Sequence, residues 1–326
     1  MTRRLVLLLL ALLPVAASAA PDLSADALLR EHLWREVRAA PVGRRQKVGL
    51  VLSAGSLRGT AHVGVIKVLQ NAGFPIDVVA GTSMGAVVGA FYAAGVPVDR
   101  MWTIAEELKL HTGSNLSGRH LISLFLFDRL LSSANTARLI RRDLGDTTFD
   151  RLKKPFACVS MDIYTGEAII FRDGDVATAV RASMNLPGIF QPLEYRHRYL
   201  VDGGVVDYIP VDVARLLGAQ WTIASVTQND YTAVRPKSVL DALEQVIDIR
   251  GSYLAREQMK KANFLIEPPV GDIGMFEEKK IPEALEKGVI EATRRLPAAE
   301  ESLILASIPD MAPDWEPPAT AAGARR

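Results

Sequence analysis

Ser83 stands in Gly81-Thr82-Ser83-Met84-Gly85, between a run with β character, Ile76-Asp77-Val78-Val79-Ala80, and an apolar helical stretch from Ala86 to Ala94. The G-x-S-x-G pattern is weak by itself, because composition alone produces it in on the order of one chain in ten of this length. Its setting gives it chemical meaning. A strand that turns sharply into a helix lifts a serine hydroxyl to the carboxyl edge of a sheet, beside the positive end of a helix dipole. Small residues on both sides relieve crowding at such a turn. Ser83 is therefore the candidate nucleophile, with Gly81, Thr82, Met84 and Gly85 forming its elbow.

A serine hydroxyl is a poor nucleophile until a base takes its proton. The order Ser, acid, His of the α/β-hydrolases is the first possibility to test. All five histidines (His32, His62, His111, His120 and His197) precede residue 200, and none follows the acids of the second half. Only His197, in the basic turn Arg196-His197-Arg198, could serve a triad in that order. Asp202 is the better partner. It ends the apolar run Leu200-Val201 and precedes Gly203 and Gly204, so it sits where backbone can approach closely. A turn-forming Asp-Gly is the alternative reading of the same residues.

The third element is Ser53-Ala54-Gly55-Ser56-Leu57-Arg58-Gly59, again between a strand and a helix. Small residues there can aim several N–H groups at one point, as an oxyanion hole requires. The alternative is a tight strand-to-helix turn without a ligand. The loop has no Gly-Lys-Ser/Thr and no G-x-G-x-x-G, so neither a Walker loop nor a dinucleotide site is expected.

These segments, in this order, resemble the patatin-like phospholipases, bacterial members in particular. The family's glycine-rich oxyanion segment, followed by Arg or Lys and Gly, is similar to Ala54-Gly55-Ser56-Leu57-Arg58-Gly59, running into Ala61-His62-Val63-Gly64-Val65. Its elbow matches residues 81–85. Its Ser-x-x-x-Pro-x-x-Phe-like segment matches Ser183-Met184-Asn185-Leu186-Pro187-Gly188-Ile189-Phe190, and its Asp-Gly-Gly matches Asp202-Gly203-Gly204. The likeness runs from about Val48 to Val226. It implies a three-layer patatin-like α/β fold and a Ser83–Asp202 dyad without histidine. It further implies an oxyanion hole over residues 54–59 and supporting roles for Gly203, Gly204 and Pro187. One departure stands out. Ala54 and Ser56 carry side chains where the family has glycines, so a positive φ at either would be strained by roughly 1 kcal/mol or more. Arg58 either fixes this loop, meets a lipid phosphate, or is a solvated arginine at a helix start.

The surrounding elements must position these groups. Strand patterns at Lys47–Ser53, Ile76–Ala80, Phe156–Ile163, Glu167–Phe171, Tyr199–Val201, Trp221–Val226 and Asn263–Ile266 alternate with helical ones. The helices are expected at Thr60–Ala72, Met84–Ala94, Val176–Met184, Val211–Leu217, Val239–Ala262 and Glu283–Arg295. The alternation argues for a mostly parallel sheet covered by helices on both faces.

The chain has 326 residues, 49% hydrophobic, enough for a full core. Residues 1–19 have the pattern of a signal peptide: Arg3 and Arg4, an apolar Leu5–Val15, then Ala17-Ser18-Ala19. An exported protein, periplasmic or secreted, is the expectation. Residues 20–45 read as a lead-in helix and linker, 46–307 as the catalytic domain, and 308–326 as a disordered tail rich in Pro and Ala. Without Arg3 and Arg4, 36 basic residues face 37 acidic ones, which argues against nucleic acid as partner. Cys158, the single cysteine, lies in an apolar run and reads as a small buried hydrophobe. No metal-ligand pattern occurs, Asp173-Gly174-Asp175 reads as a turn, and no cofactor is expected. The apolar segment 121–131 either lines an acyl tunnel, dips into a membrane surface, or is a core or dimer helix.

Three functional classes follow. The first is a lipid acyl hydrolase of phospholipase A or lysophospholipase type, with phospholipid or another acyl ester as substrate and contact with a membrane surface. The others are a general serine esterase or thioesterase with the same dyad and a non-catalytic lipid-binding protein.

Overall fold

The computed structural model describes residues 24–107, 133–232, 236, 239–274 and 277–312. The expected leader, the apolar segment 121–131, His111 and His120 lie outside the described residues.

Apolar runs build the sheet. Strands β1 (Val48–Leu52), β2 (Val78–Thr82) and β7 (Trp221–Ser225) are buried along their whole length, as strands covered on both faces must be. They are joined by β3 (Phe156–Asp162), β4 (Ala168–Phe171), β5 (Leu193–Tyr195), β6 (Arg198–Asp202) and β8 (Phe264–Ile266). Among the described residues the order is β5-β6-β3-β2-β1-β7-β8, with β4 also paired to β3. Pairing is parallel from β3 across to β8 and antiparallel at β4, β5 and β6. The two antiparallel reversals have local causes. Gly166, at φ 72°, turns β3 back into β4, and Arg196 and His197, both at positive φ, make the β5–β6 hairpin turn. β2 starts two residues later than its apolar run, because the Asp77 carboxylate holds the Val48 N–H at 2.7 Å and both Arg45 terminal nitrogens.

Alternation along each strand divides the core in two. Val48, Leu50 and Leu52 face a large cluster, and Val51 points the other way. The large cluster is covered by α1 (Ala25–Ala39), α2 (Ala61–Asn71), α3 (Met84–Ala94), α4 (Val98–Glu106), α5 (Ala134–Leu144), α6 (Val176–Ser183) and α9 (Ile281–Met311). The smaller is covered by α7 (Val211–Leu216) and α8 (Val239–Met259). The result is the three-layer, mostly parallel α/β sandwich expected.

The lead-in helix forms within its expected span, and one boundary differs from expectation. α1 packs into the core: the Trp34 ring lies tilted against Phe74 at 5.2 Å between centroids, and Phe74 against Trp221 at 5.9 Å. α9 runs to Met311, through Pro297 and Pro309, instead of ending near Arg295. A proline inside a helix costs about 3 kcal/mol, and burial of Ala299, Leu303 and Ile304 offsets it. Ser307 and Asp310 accept hydrogen bonds from the Gln46 main chain and side chain. The fold therefore includes the first residues of the expected tail.

α2 and α9 cross at two glycines. A Cβ on Gly64 would lie 2.2 Å from the Leu285 carbonyl oxygen, and one on Gly288 2.1 Å from that of Ala61. Rigid backbone on both sides cannot yield cheaply. Gly64→Ala should lower the free energy of unfolding by roughly 3 kcal/mol, visible as a lower urea midpoint; an unchanged midpoint would mean the helices separate freely.

Candidate active site

Ser83 occupies the corner between β2 and α3 with φ 55° and ψ −121°, a conformation that L-residues adopt only under constraint. The flanking glycines allow it. A Cβ on Gly81 would lie 2.3 Å from the Gly85 carbonyl oxygen, and one on Gly85 2.3 Å from that of Leu52. Gly-x-Ser-x-Gly is thus a packing requirement of this turn. Thr82 ends β2 and Met84 opens α3, both buried.

Asp202 ends β6, whose antiparallel register on β3 sets Asp202 opposite Ser160. Since Thr82 is opposite Val159 on the same strand, Ser83 and the carboxylate meet over β3. The Ser83 hydroxyl donates to Asp202 Oδ2 at 2.6 Å. The Gly204 N–H donates to the other oxygen, Oδ1, at 2.7 Å. Gly203 must be glycine, because its Cβ would come 2.4 Å from the Val159 carbonyl oxygen. Asp202 is 2% exposed, and burial pushes its carboxyl up to about 6, against the lowering effect of the bonds from Ser83 and Gly204. Near neutral pH it is ionised yet close to accepting a proton.

The loop after β1 forms a short 3₁₀ turn, Ser56–Thr60. Gly55 is required by contact, since a Cβ would lie 2.1 Å from Thr227 Oγ1. Ser56 holds φ 49°, so it takes the left-handed geometry at a cost of roughly 1–2 kcal/mol; Ala54 does not. The N–H of Ala54 donates to Tyr208 O at 2.9 Å and that of Gly59 to Gly55 O at 3.3 Å. Ala54 and Gly59 are thereby removed from the expected set of oxyanion donors. Among the described residues, no acceptor takes the N–H groups of Gly55 and Ser56.

For Arg58 the structure selects the first of its three readings, the one in which it fixes the loop. It is fully buried, pairs with Asp248 of α8 at 2.8 Å and donates to Ile273 O at 3.1 Å. It is neither solvated nor placed to meet a lipid headgroup; it fastens the loop to α8. His62 fastens it from below. Burial lowers its pKa to about 4, so the ring is neutral. Nε2–H donates to Ser53 O at 3.0 Å, and Nδ1 accepts from the Ser225 hydroxyl at 2.7 Å.

No histidine among the described residues bonds to Ser83 or Asp202. His197 is exposed in the hairpin turn, and His32 is exposed on α1. Pro187 lies in the turn that closes Phe190 N–H onto Leu186 O at 3.0 Å. Asp175 caps α6 by accepting from Thr178 N. Cys158 is buried, and that burial pushes its thiol up. Among the described residues no group of His, Cys, Asp or Glu is arranged to hold a metal ion, and no helix is long and apolar enough to cross a membrane. Sequence reasoning missed Ser183 and Asn185 as individual residues, along with Tyr208, Thr227 and Asp248. The first two lie inside a quoted motif, and the others carry no local signal.

Known proteins share the fold and the motif-bearing stretch of this chain. VipD from Legionella pneumophila shares the three-layer fold at 15% identity, with a TM-score of 0.52 over 80% of this chain and 68% of that one. The family model for patatin-like phospholipases matches residues 50–215, the stretch that carries loop, elbow and Asp-Gly-Gly. The chain belongs to the patatin-like phospholipase family. An uncharacterised NTE-family protein of Mycobacterium tuberculosis is 30% identical over 278 residues, 78% of this chain and 47% of that protein. Patatin-like phospholipase domain-containing protein 6 of Mus musculus is 35% identical over 189 residues, 57% of this chain and 14% of its own length. The chain thus spans about half the length of the first relative and far less of the second.

Burial of Asp202 has a consequence for stability. Its folded pKa of about 6 lies above the unfolded value, so above pH 6 the ionised group destabilises the fold by up to about 3 kcal/mol. The cost is relieved as pH falls from about 6 towards 4 and the folded state takes up the proton first. Asp202→Asn, which keeps an acceptor for Gly204, should raise the unfolding free energy at pH 8 by about 1–3 kcal/mol. The gain should vanish near pH 4 in parallel denaturation curves.

Proposed function

We propose that the chain hydrolyses carboxylic esters of lipids, phospholipid or lysophospholipid, through a Ser83–Asp202 dyad and an acyl-enzyme. The 2.6 Å bond from Ser83 Oγ to Asp202 Oδ2 carries this reading. As Oγ attacks the ester carbonyl carbon, its proton passes to Asp202. The N–H groups of Gly55 and Ser56 receive the negative oxygen, and the α3 dipole assists. Collapse of the tetrahedral intermediate breaks the ester C–O bond, and the leaving alcohol takes the proton back from Asp202. Water then attacks the acyl-enzyme while Asp202 takes its proton. Loss of the fatty acid restores the Ser83 hydroxyl.

A base with a pKa of about 6 is matched to work near neutral pH. Family membership supports the lipid class of substrate. The basic and apolar pattern of residues 1–19 supports action outside the cytoplasm.

Ser83→Ala should lower phospholipid hydrolysis about a thousandfold or more and abolish fluorophosphonate labelling; persistent labelling would remove Ser83 from the role. For the wild type, kcat/KM should be level above pH 7. It should fall about tenfold for each pH unit well below 6, as Asp202 takes up a proton. A profile flat to pH 4.5 would exclude Asp202 as the base. Mass spectrometry of products from mixed phospholipids would then define headgroup and acyl position.

A further inference from the structure

β2 and β3 form a parallel ladder in which Val79 N–H donates to Pro155 O at 2.9 Å. With Val79 opposite Phe156 and Gly81 opposite Cys158, the ladder advances two residues per rung. Its next positions are Gly81 N–H to Ala157 O and then Ser83 N–H to Val159 O. That last rung is not closed directly. The Ser83 N–H donates instead to Ser183 Oγ at 2.9 Å, and the Ser183 hydroxyl donates to Val159 O at 2.6 Å. A fully buried side chain from the end of α6 is thus inserted into the sheet at the residue where β2 leaves it.

We infer that Ser183 is a positioning residue for the nucleophile: its hydroxyl spaces Ser83 from β3 and so sets the reach of Ser83 Oγ to Asp202. The inference rests on the dyad reading. Two further observations support it. The same segment holds the other partner, since Asn185 O accepts from Asp202 N–H at 2.9 Å. Ser83 also keeps its positive φ with its N–H committed to an acceptor, and a buried main-chain donor left unpaired would be free to move or to close the rung directly. Direct closure would draw Ser83 towards β3 and away from its present distance to Asp202. Engagement of this N–H also takes it out of oxyanion binding and leaves that task to Gly55 and Ser56.

The test uses the full chain, with p-nitrophenyl butyrate as probe ester and a fluorophosphonate as active-site label. Ser183→Ala should lower kcat about 10- to 100-fold with KM changed less than about threefold, and slow labelling in proportion. Ser183→Cys, similar in size and a weaker acceptor, should fall between wild type and Ser183→Ala. A folded Ser183→Ala with wild-type kcat and labelling rate would overturn the inference alone. So would equal losses in both variants that track a fall in melting temperature, because Ser183 would then be a packing residue only. Wild-type protein that neither cleaves the ester nor takes up the label would overturn the dyad reading, and the inference with it.

Discussion

One carboxylate, removed from water and held by two donors, organises this molecule. Asp202 reaches Ser83 because β6 runs antiparallel beside β3 while β2 runs parallel on its other side. β3 therefore acts as a ruler. Thr82 and Asp202 take adjacent positions on it, opposite Val159 and Ser160. A slip of one residue in the β3–β6 pairing would turn the Asp202 side chain to the other face of the sheet, and one in the β2–β3 pairing would do the same to Thr82. The antiparallel strands at this edge are the means by which an otherwise parallel sandwich brings its acid to its serine.

Around that pair the protein spends little charge. His62 is neutral and serves as a strut between Ser53 and Ser225. The buried Arg58–Asp248 pair is more costly to desolvate than an apolar contact of the same size. Asn229 also donates to Asp248 at 2.7 Å, so the pair is hydrogen-bonded beyond its own contact. The arrangement joins the loop after β1 to α8 in one geometry, which a greasy contact would fix less well.

Much of the site could be read from the chain because its motif residues answer to contacts within a few ångströms. Gly81, Gly85 and Gly203 face main-chain atoms that leave no room for a Cβ, so their letters report the backbone directly. The unusual Ser56 announced a strain that the loop does contain. Other features depend on distant partners and left no such trace. Arg58 keeps three readings until Asp248, 190 positions later, pairs with it and leaves only the one that fixes the loop. Ala54 has an amide that looks available until Tyr208 O takes it. Pro297 and Pro309 signal a helix end, and only packing of α9 against the rest of the fold overrules them. α4 and α5 were not anticipated as separate helices at all.

The clasp between the outermost helices has a topological corollary. α1 packs along α9, and Gln46, just after α1, is bound to Asp310 near the far end of α9. Entry to and exit from the sandwich therefore lie on one side, remote in sequence yet adjacent in space. A unit closed in this way can be grafted into a larger polypeptide through a single seam, its sheet undisturbed.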